Sequence, residues 1–216
     1  NESIFTVEFP HLLELIENKQ YDTVYHEHYS YLSILFLLGI FKKVGLSIFR
    51  IDQIPTHGGS LRIYADKGAR TIEESVDEVL QLEIKKGLNQ PNTYSNFNIS
   101  VFKHKIKSLD FFLKIKESGK SIAAYGAAAK GVTFLNTLGI TSDTIEYVVD
   151  NNPNKQGKLL PGCNIPIVDN EHFLNNPPDV VVILPWNLEK ELAQTIDSKI
   201  KRRIQKVIFI PNPLFL

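Results

Sequence analysis

The alternation in the second half of the chain constrains the fold most. From Lys120 onward, short apolar runs at residues 121–125, 145–149, 180–184 and 207–210 are separated by stretches of helical periodicity at 131–138 and 188–204. Antiparallel neighbours can be joined by tight turns, but strands separated by helices need crossovers. The pattern therefore predicts an α/β, doubly wound parallel sheet.

The first third reads differently. Residues 4–9 alternate up to Pro10 and predict a strand, and residues 11–18 a short helix. A helix is expected over 31–44, with Ser30 as its N-cap and Gly45 as a left-handed C-terminal glycine. Residues 46–54 and 60–65 read as two strands joined through Thr56-His57-Gly58-Gly59, hence an antiparallel pair. This portion looks like the later part of an α/β sheet. Between the two regions, Thr71 and Glu74 form a capping-box pattern ahead of Ile72, Val76, Val79, Leu80 and Leu82. After a break at 87–91, a second helix carries the stripe Ile99, Phe102, Ile106, Leu109, Phe112 and Leu113. Two such helices predict a helical connector, with its lysines on a solvated face.

Lys plus Arg equals Asp plus Glu at 24 each, so nothing points to nucleic acid or an anionic membrane as a partner. No apolar run is long enough to span a bilayer. Cys163 is the only cysteine, which excludes an internal disulfide and a cysteine-built metal site and makes a cytoplasmic setting the expectation. The chain opens at Asn1 and holds no Met, from which a fragment of a longer protein is expected.

The densest chemistry lies in Thr23-Val24-Tyr25-His26-Glu27-His28-Tyr29-Ser30-Tyr31. Imidazole exchanges protons near neutral pH, a carboxylate between two imidazoles can orient one of them, and a phenol can donate to a developing oxyanion. His57-Gly58-Gly59-Ser60-Leu61-Arg62 joins paired glycines, which let a ligand approach the backbone, to the polar contacts of His57 and Ser60. Tyr125-Gly126-Ala127-Ala128-Ala129-Lys130-Gly131 follows a strand and opens a helix. Its amides could meet an anion and Lys130 a phosphate, although alanines stand where a dinucleotide fingerprint has other residues, and tight strand–helix packing explains the run equally well. Asp150 ends a strand as a ribose-binding acid does, and also starts a good turn. Trp186 follows a strand end where open α/β sheets bind ligands; stacking on a base and packing both fit.

In order and spacing, the histidine run, the His57–Arg62 turn and the 126–131 turn resemble S-adenosylmethionine-dependent C-methyltransferases acting on nucleotide-linked 4-keto deoxysugars. The resemblance covers nearly the whole chain. It implies the end of a class I methyltransferase domain at 1–68, a helical connector at 69–119 and a Rossmann-like C-terminal domain at 120–216. S-adenosyl-L-methionine is the implied cofactor, with most of its site, and a zinc-binding segment, upstream of this chain; no metal site is expected within it. Carbon methylation needs a carbanion, which a neighbouring ketone makes accessible. By resemblance, His28 or Tyr25 is the base and Glu27 orients it or shares its proton. His26, Gly58 and Gly59 would line the substrate, His57 and Ser60 the substrate or cofactor pocket, and Lys130 would hold the nucleotide end. Two other readings stay open: a metal-dependent hydrolase using His26, His28 and His57, and a nucleotide-sugar binding module without catalysis.

Overall fold

A computed structural model describes residues 3–68 and 70–216. Residue 69, where the connector was expected to begin, lies outside the described residues. The chain falls into two compact units: residues up to Gln20 with His28–Ser100, and Tyr21–Glu27 with Val101–Leu216.

The first unit is built on a three-stranded antiparallel sheet. Strands β1 (Phe5–Pro10), β2 (Ser47–Ile54) and β3 (Ser60–Asp66) lie in the order β1-β3-β2. Helices α1 (Leu12–Glu17), α2 (Ile34–Lys43) and α3 (Glu74–Lys85) accompany it. Ile34, Ile48, Leu61, Ile63, Ala65, Val76 and Val79 are among the side chains of its apolar core. The start of α2 departs from the expected Ser30 cap. The N-cap is Ser33, whose hydroxyl accepts from Phe36 N at 3.3 Å. The Glu83 carboxylate of α3 accepts from Ile34 N and Leu35 N, each at 2.8 Å, and so completes the first turn. The Thr71–Glu74 box is likewise not the cap of α3. Glu73 is, without a side-chain bond, its own N–H donating to Phe49 O at 2.8 Å.

Helix α4 (Pro91–Glu117) begins with a proline at its first position, where no backbone donor is needed. Its expected apolar stripe is a second correction. Ile99, Phe102, Ile106 and Leu113 are exposed, and the buried line runs through His104, Ser108, Phe112 and Ile115. A histidine bonded to the Phe209 carbonyl at 2.7 Å and a phenylalanine stacked on the Phe209 ring at 4.5 Å decide the face, so apolar periodicity alone misplaced it.

The second unit carries the doubly wound sheet. Strands β4 (Ile122–Tyr125), β5 (Val148–Val149), β6 (Ile167–Val168), β7 (Val180–Ile183), β8 (Gln205–Ile208) and β9 (Leu214–Phe215) lie in the order β6-β5-β4-β7-β8-β9. All neighbours are parallel except β8 and β9. Every residue of β4 and β7 is buried, as befits strands covered on both faces. Helices α5 (Ala129–Leu138), α6 (Asn170–Asn175) and α7 (Glu189–Lys199) connect the strands. The order reverses between β4 and β7, which puts the ends of these two strands at the place where such sheets bind ligands.

Candidate functional site

The histidine run is divided between the units: Tyr25, His26 and Glu27 belong to the second and His28 to the first.

In the second unit, Tyr25, His26 and Glu27 form one wall of a cavity of about 790 Å³. The cavity is lined further by Ala127 and Ala129 at the start of α5, by Val132, Thr133 and Asn136 further along it, and by Lys155, Lys158 and Leu159 after β5. Two motifs far apart in sequence therefore meet at one hollow. The Tyr25 and His26 rings approach edge to face at 6.5 Å. Tyr25 is half-buried, while His26 and Glu27 are exposed.

The turn entering α5 owes its small residues to packing. Gly126 has φ 87°, and a Cβ there would lie 2.6 Å from Pro185 Cγ; one on Gly131 would lie 2.8 Å from Leu184 Cβ. Protein atoms, not a ligand, fill both gaps. The Asp150 carboxylate is spent on the same loop, accepting from Ala127 N at 2.8 Å, Asn152 N at 2.8 Å and Lys155 Nζ at 3.2 Å. It has the turn-forming role rather than that of a ribose-binding acid. This strand–turn–helix therefore does not fit the adenosyl part of S-adenosyl-L-methionine. Lys130 is 9% exposed; its ammonium donates to Asn187 Oδ1 at 2.7 Å and stands 4.6 Å from the centre of the Trp186 ring. Burial lowers its pKa. To meet a phosphate it would have to leave both neighbours, whereas Lys158 is exposed on the cavity wall.

In the first unit, His28, His57 and Ser60 share a smaller cavity of about 240 Å³ with Glu8, Phe9 and Pro10. His57 takes the left-handed φ of 54° and Gly58 and Gly59 follow with φ 88° and 116°. A Cβ on Gly59 would lie 2.6 Å from Glu14 Cγ, so the glycines answer to backbone geometry. The Gly58 carbonyl accepts from Gln20 Nε2 at 2.8 Å, and the Ser60 hydroxyl donates to Thr56 O at 3.0 Å. Glu8 accepts from Arg62, whose guanidinium lowers the carboxyl's pKa. His26 and His28 thus line different cavities. No group of three or more His, Cys, Asp or Glu among the described residues is placed to hold a metal ion. None of the described helices is long and apolar enough to cross a membrane.

Sequence reasoning passed over Tyr21, Asp22, Asn136, Lys158 and Asn187. Only Asp22 carried a signal, as an acid directly preceding the densest polar run.

Residues 55–211 match the family described as the C-methyltransferase C-terminal domain. The chain is also similar to C-methyltransferase NovU of Streptomyces niveus, with 31% identity over 214 residues. That alignment takes in 98% of this chain and 51% of NovU, so the chain spans about half the length of the curated relative it matches.

Proposed function

This chain belongs to the family of C-methyltransferase C-terminal domains, and from that premise we propose that it serves S-adenosyl-L-methionine-dependent C-methylation of a nucleotide-linked 4-keto deoxysugar through an enolate. The observation that carries the reading is the cavity of about 790 Å³, where Tyr25, His26 and Glu27 face the start of α5 and the lysines after β5. Its mixed wall, with Ala129, Val132, Thr133 and Asn136 along α5 and the cation of Lys158, suits a nucleoside with a diphosphate. S-adenosyl-L-methionine, when bound, supplies the methyl group.

The chain's own residues serve the earlier step. A ketone acidifies the neighbouring C–H, a base removes that proton, and donors hold the enolate oxygen. His28 or Tyr25 is the base, and Glu27 orients it or shares the proton. His57, Gly58, Gly59 and Ser60 line the sugar and His26 the nucleotide side. We assign residues 1–68 to the end of the methyltransferase domain, 69–119 to a connector and 120–216 to the holding of the nucleotide.

The test is proton exchange rather than methyl transfer. In the full-length enzyme, incubated in D₂O with a thymidine-diphosphate 4-keto-6-deoxysugar, the hydrogen beside the ketone should exchange. His28→Ala or Tyr25→Phe should slow that exchange by roughly two to four orders of magnitude, the range for losing a general base. Wild-type exchange rates in both variants would remove these residues from the mechanism. Tight nucleotide binding with no exchange in the wild type would favour a binding module.

A further inference from the structure

The three residues before the wall of the larger cavity, Tyr21–Thr23, form a buried 3-10 turn within the second unit. Its first two side chains are tied to separate elements. The Tyr21 hydroxyl lies 3.1 Å from Nδ1 of His104 on α4, and Nε2 of that ring lies 2.7 Å from Phe209 O. A carbonyl can only accept, so Nε2 carries the proton and Tyr21 donates to Nδ1. Asp22 is 1% exposed and takes the Trp186 indole N–H on Oδ2 at 2.7 Å. Its Oδ1 is buried with no partner. The same indole carries the Lys130 ammonium over its face, so carboxylate and ammonium both bear on one ring.

A buried carboxylate with one oxygen unpaired is a poor choice for packing, because desolvating the anion outweighs what the Trp186 bond and the backbone N–H groups of Asp22 and Thr23 return. Such groups tend to be kept where function needs them. This one stands three residues ahead of Tyr25, on a turn packed against α5.

We infer that Asp22 is a positioning residue: bonded to Trp186 and balanced by Lys130, it clasps the 21–27 segment onto α5 and keeps Tyr25, His26 and Glu27 at the cavity wall. The clasp deepens, and rests on, the reading of that cavity as the nucleotide site. The titratable groups facing Asp22 are Tyr21 on its own turn and Lys130 on α5, while β7 brings Ile183 and the segment after β8 brings Phe209 and Ile210.

Trp186 is the only tryptophan in the chain, so its fluorescence reports on the clasp. Wild-type emission should titrate once, with a midpoint at about 6, and Asp22→Asn should abolish that transition. At about pH 7.5, amides 24–27 should exchange with solvent roughly tenfold faster in Asp22→Asn than in the wild type, with β4 and β7 unchanged. The affinity for thymidine diphosphate should fall roughly tenfold alongside. Trp186→Phe, which keeps a ring but removes the N–H, should release the same amides and serves if Asp22→Asn does not fold. Unchanged exchange at 24–27 in the folded variant overturns the clasp. If the wild type binds no thymidine diphosphate while the variant still loosens 24–27, the clasp stands and the nucleotide reading falls.

Discussion

Asp22 is where burial and charge conflict most sharply. Its carboxyl is raised from 3.8 to about 6, chiefly because burial desolvates the anion; the Trp186 N–H, the Lys130 charge and the backbone N–H groups of Asp22 and Thr23 pull in the opposite direction. Between those two values the folded chain holds a proton that the unfolded chain has lost. The stability contributed by this group is therefore full below the unfolded value and is lost as pH rises through about 6. A shift of this size corresponds to about 3 kcal/mol at neutral pH. Asp22→Asn should accordingly raise Tm by several degrees at about pH 7.5 and give no gain at about pH 3.5. Calorimetry at the two pH values decides it, and a lower Tm at neutral pH would mean that the anion stabilises the fold. A gain in global stability together with looser amides at 24–27 is the combination that separates positioning from packing.

At the scale of elements, Glu83 ties three pieces of the first unit together. It is fully buried on α3, accepts from the first two N–H groups of α2 and lies 2.8 Å from His11 Nε2. Removing the carboxylate leaves those donors buried without an acceptor. Glu83→Ala should thus cost roughly 3–5 kcal/mol in denaturant unfolding, the range for breaking a buried charged contact. A loss below about 1 kcal/mol would show that water replaces the side chain. The same residue explains why the start of α2 was misplaced. Local rules offered Ser30, but the turn is closed by a carboxylate 49 positions away in the sequence. What was legible came from patterns that one element satisfies by itself: the αL glycine at Gly45, the antiparallel pair of β2 and β3, and the wholly apolar β4 and β7. In helix α4 the expected stripe holds at Phe112 but not at Ile99, Phe102, Ile106 or Leu113, since the buried face is decided by His104 and Phe112 against Phe209. The histidine run drew attention by its residue types, but its division between His28 in one unit and Tyr25–Glu27 in the other was not visible in the sequence. Lys130 drew attention by following a small-residue turn, yet its partners are Asn187 and Trp186, which no local spacing connects to it.

For the whole chain, the question is which ligand it can hold on its own. A doubly wound sheet offers a ligand the crevice at its reversal point, provided glycines leave space there and an acid remains available. Here Pro185 and Leu184 occupy the space beside Gly126 and Gly131, and Asp150 is bonded to its own loop. A cavity of about 790 Å³ is lined instead by Tyr25–Glu27, the α5 residues and the loop after β5, with Lys158 on its wall. On the reading proposed above, the 216-residue chain should bind a nucleoside diphosphate, with thymidine diphosphate as the probe, and give no heat with S-adenosyl-L-methionine at about 1 mM, where even weak binding of about 4 kcal/mol would register. Lys158→Ala should weaken the nucleotide by roughly two- to tenfold with an unchanged Tm, as expected for one exposed charge-assisted contact. Micromolar binding of S-adenosyl-L-methionine by this chain would mean that the crevice is more open than Pro185 and Leu184 make it. Nucleotide affinity insensitive to Lys158 would move the diphosphate away from the mouth of this cavity.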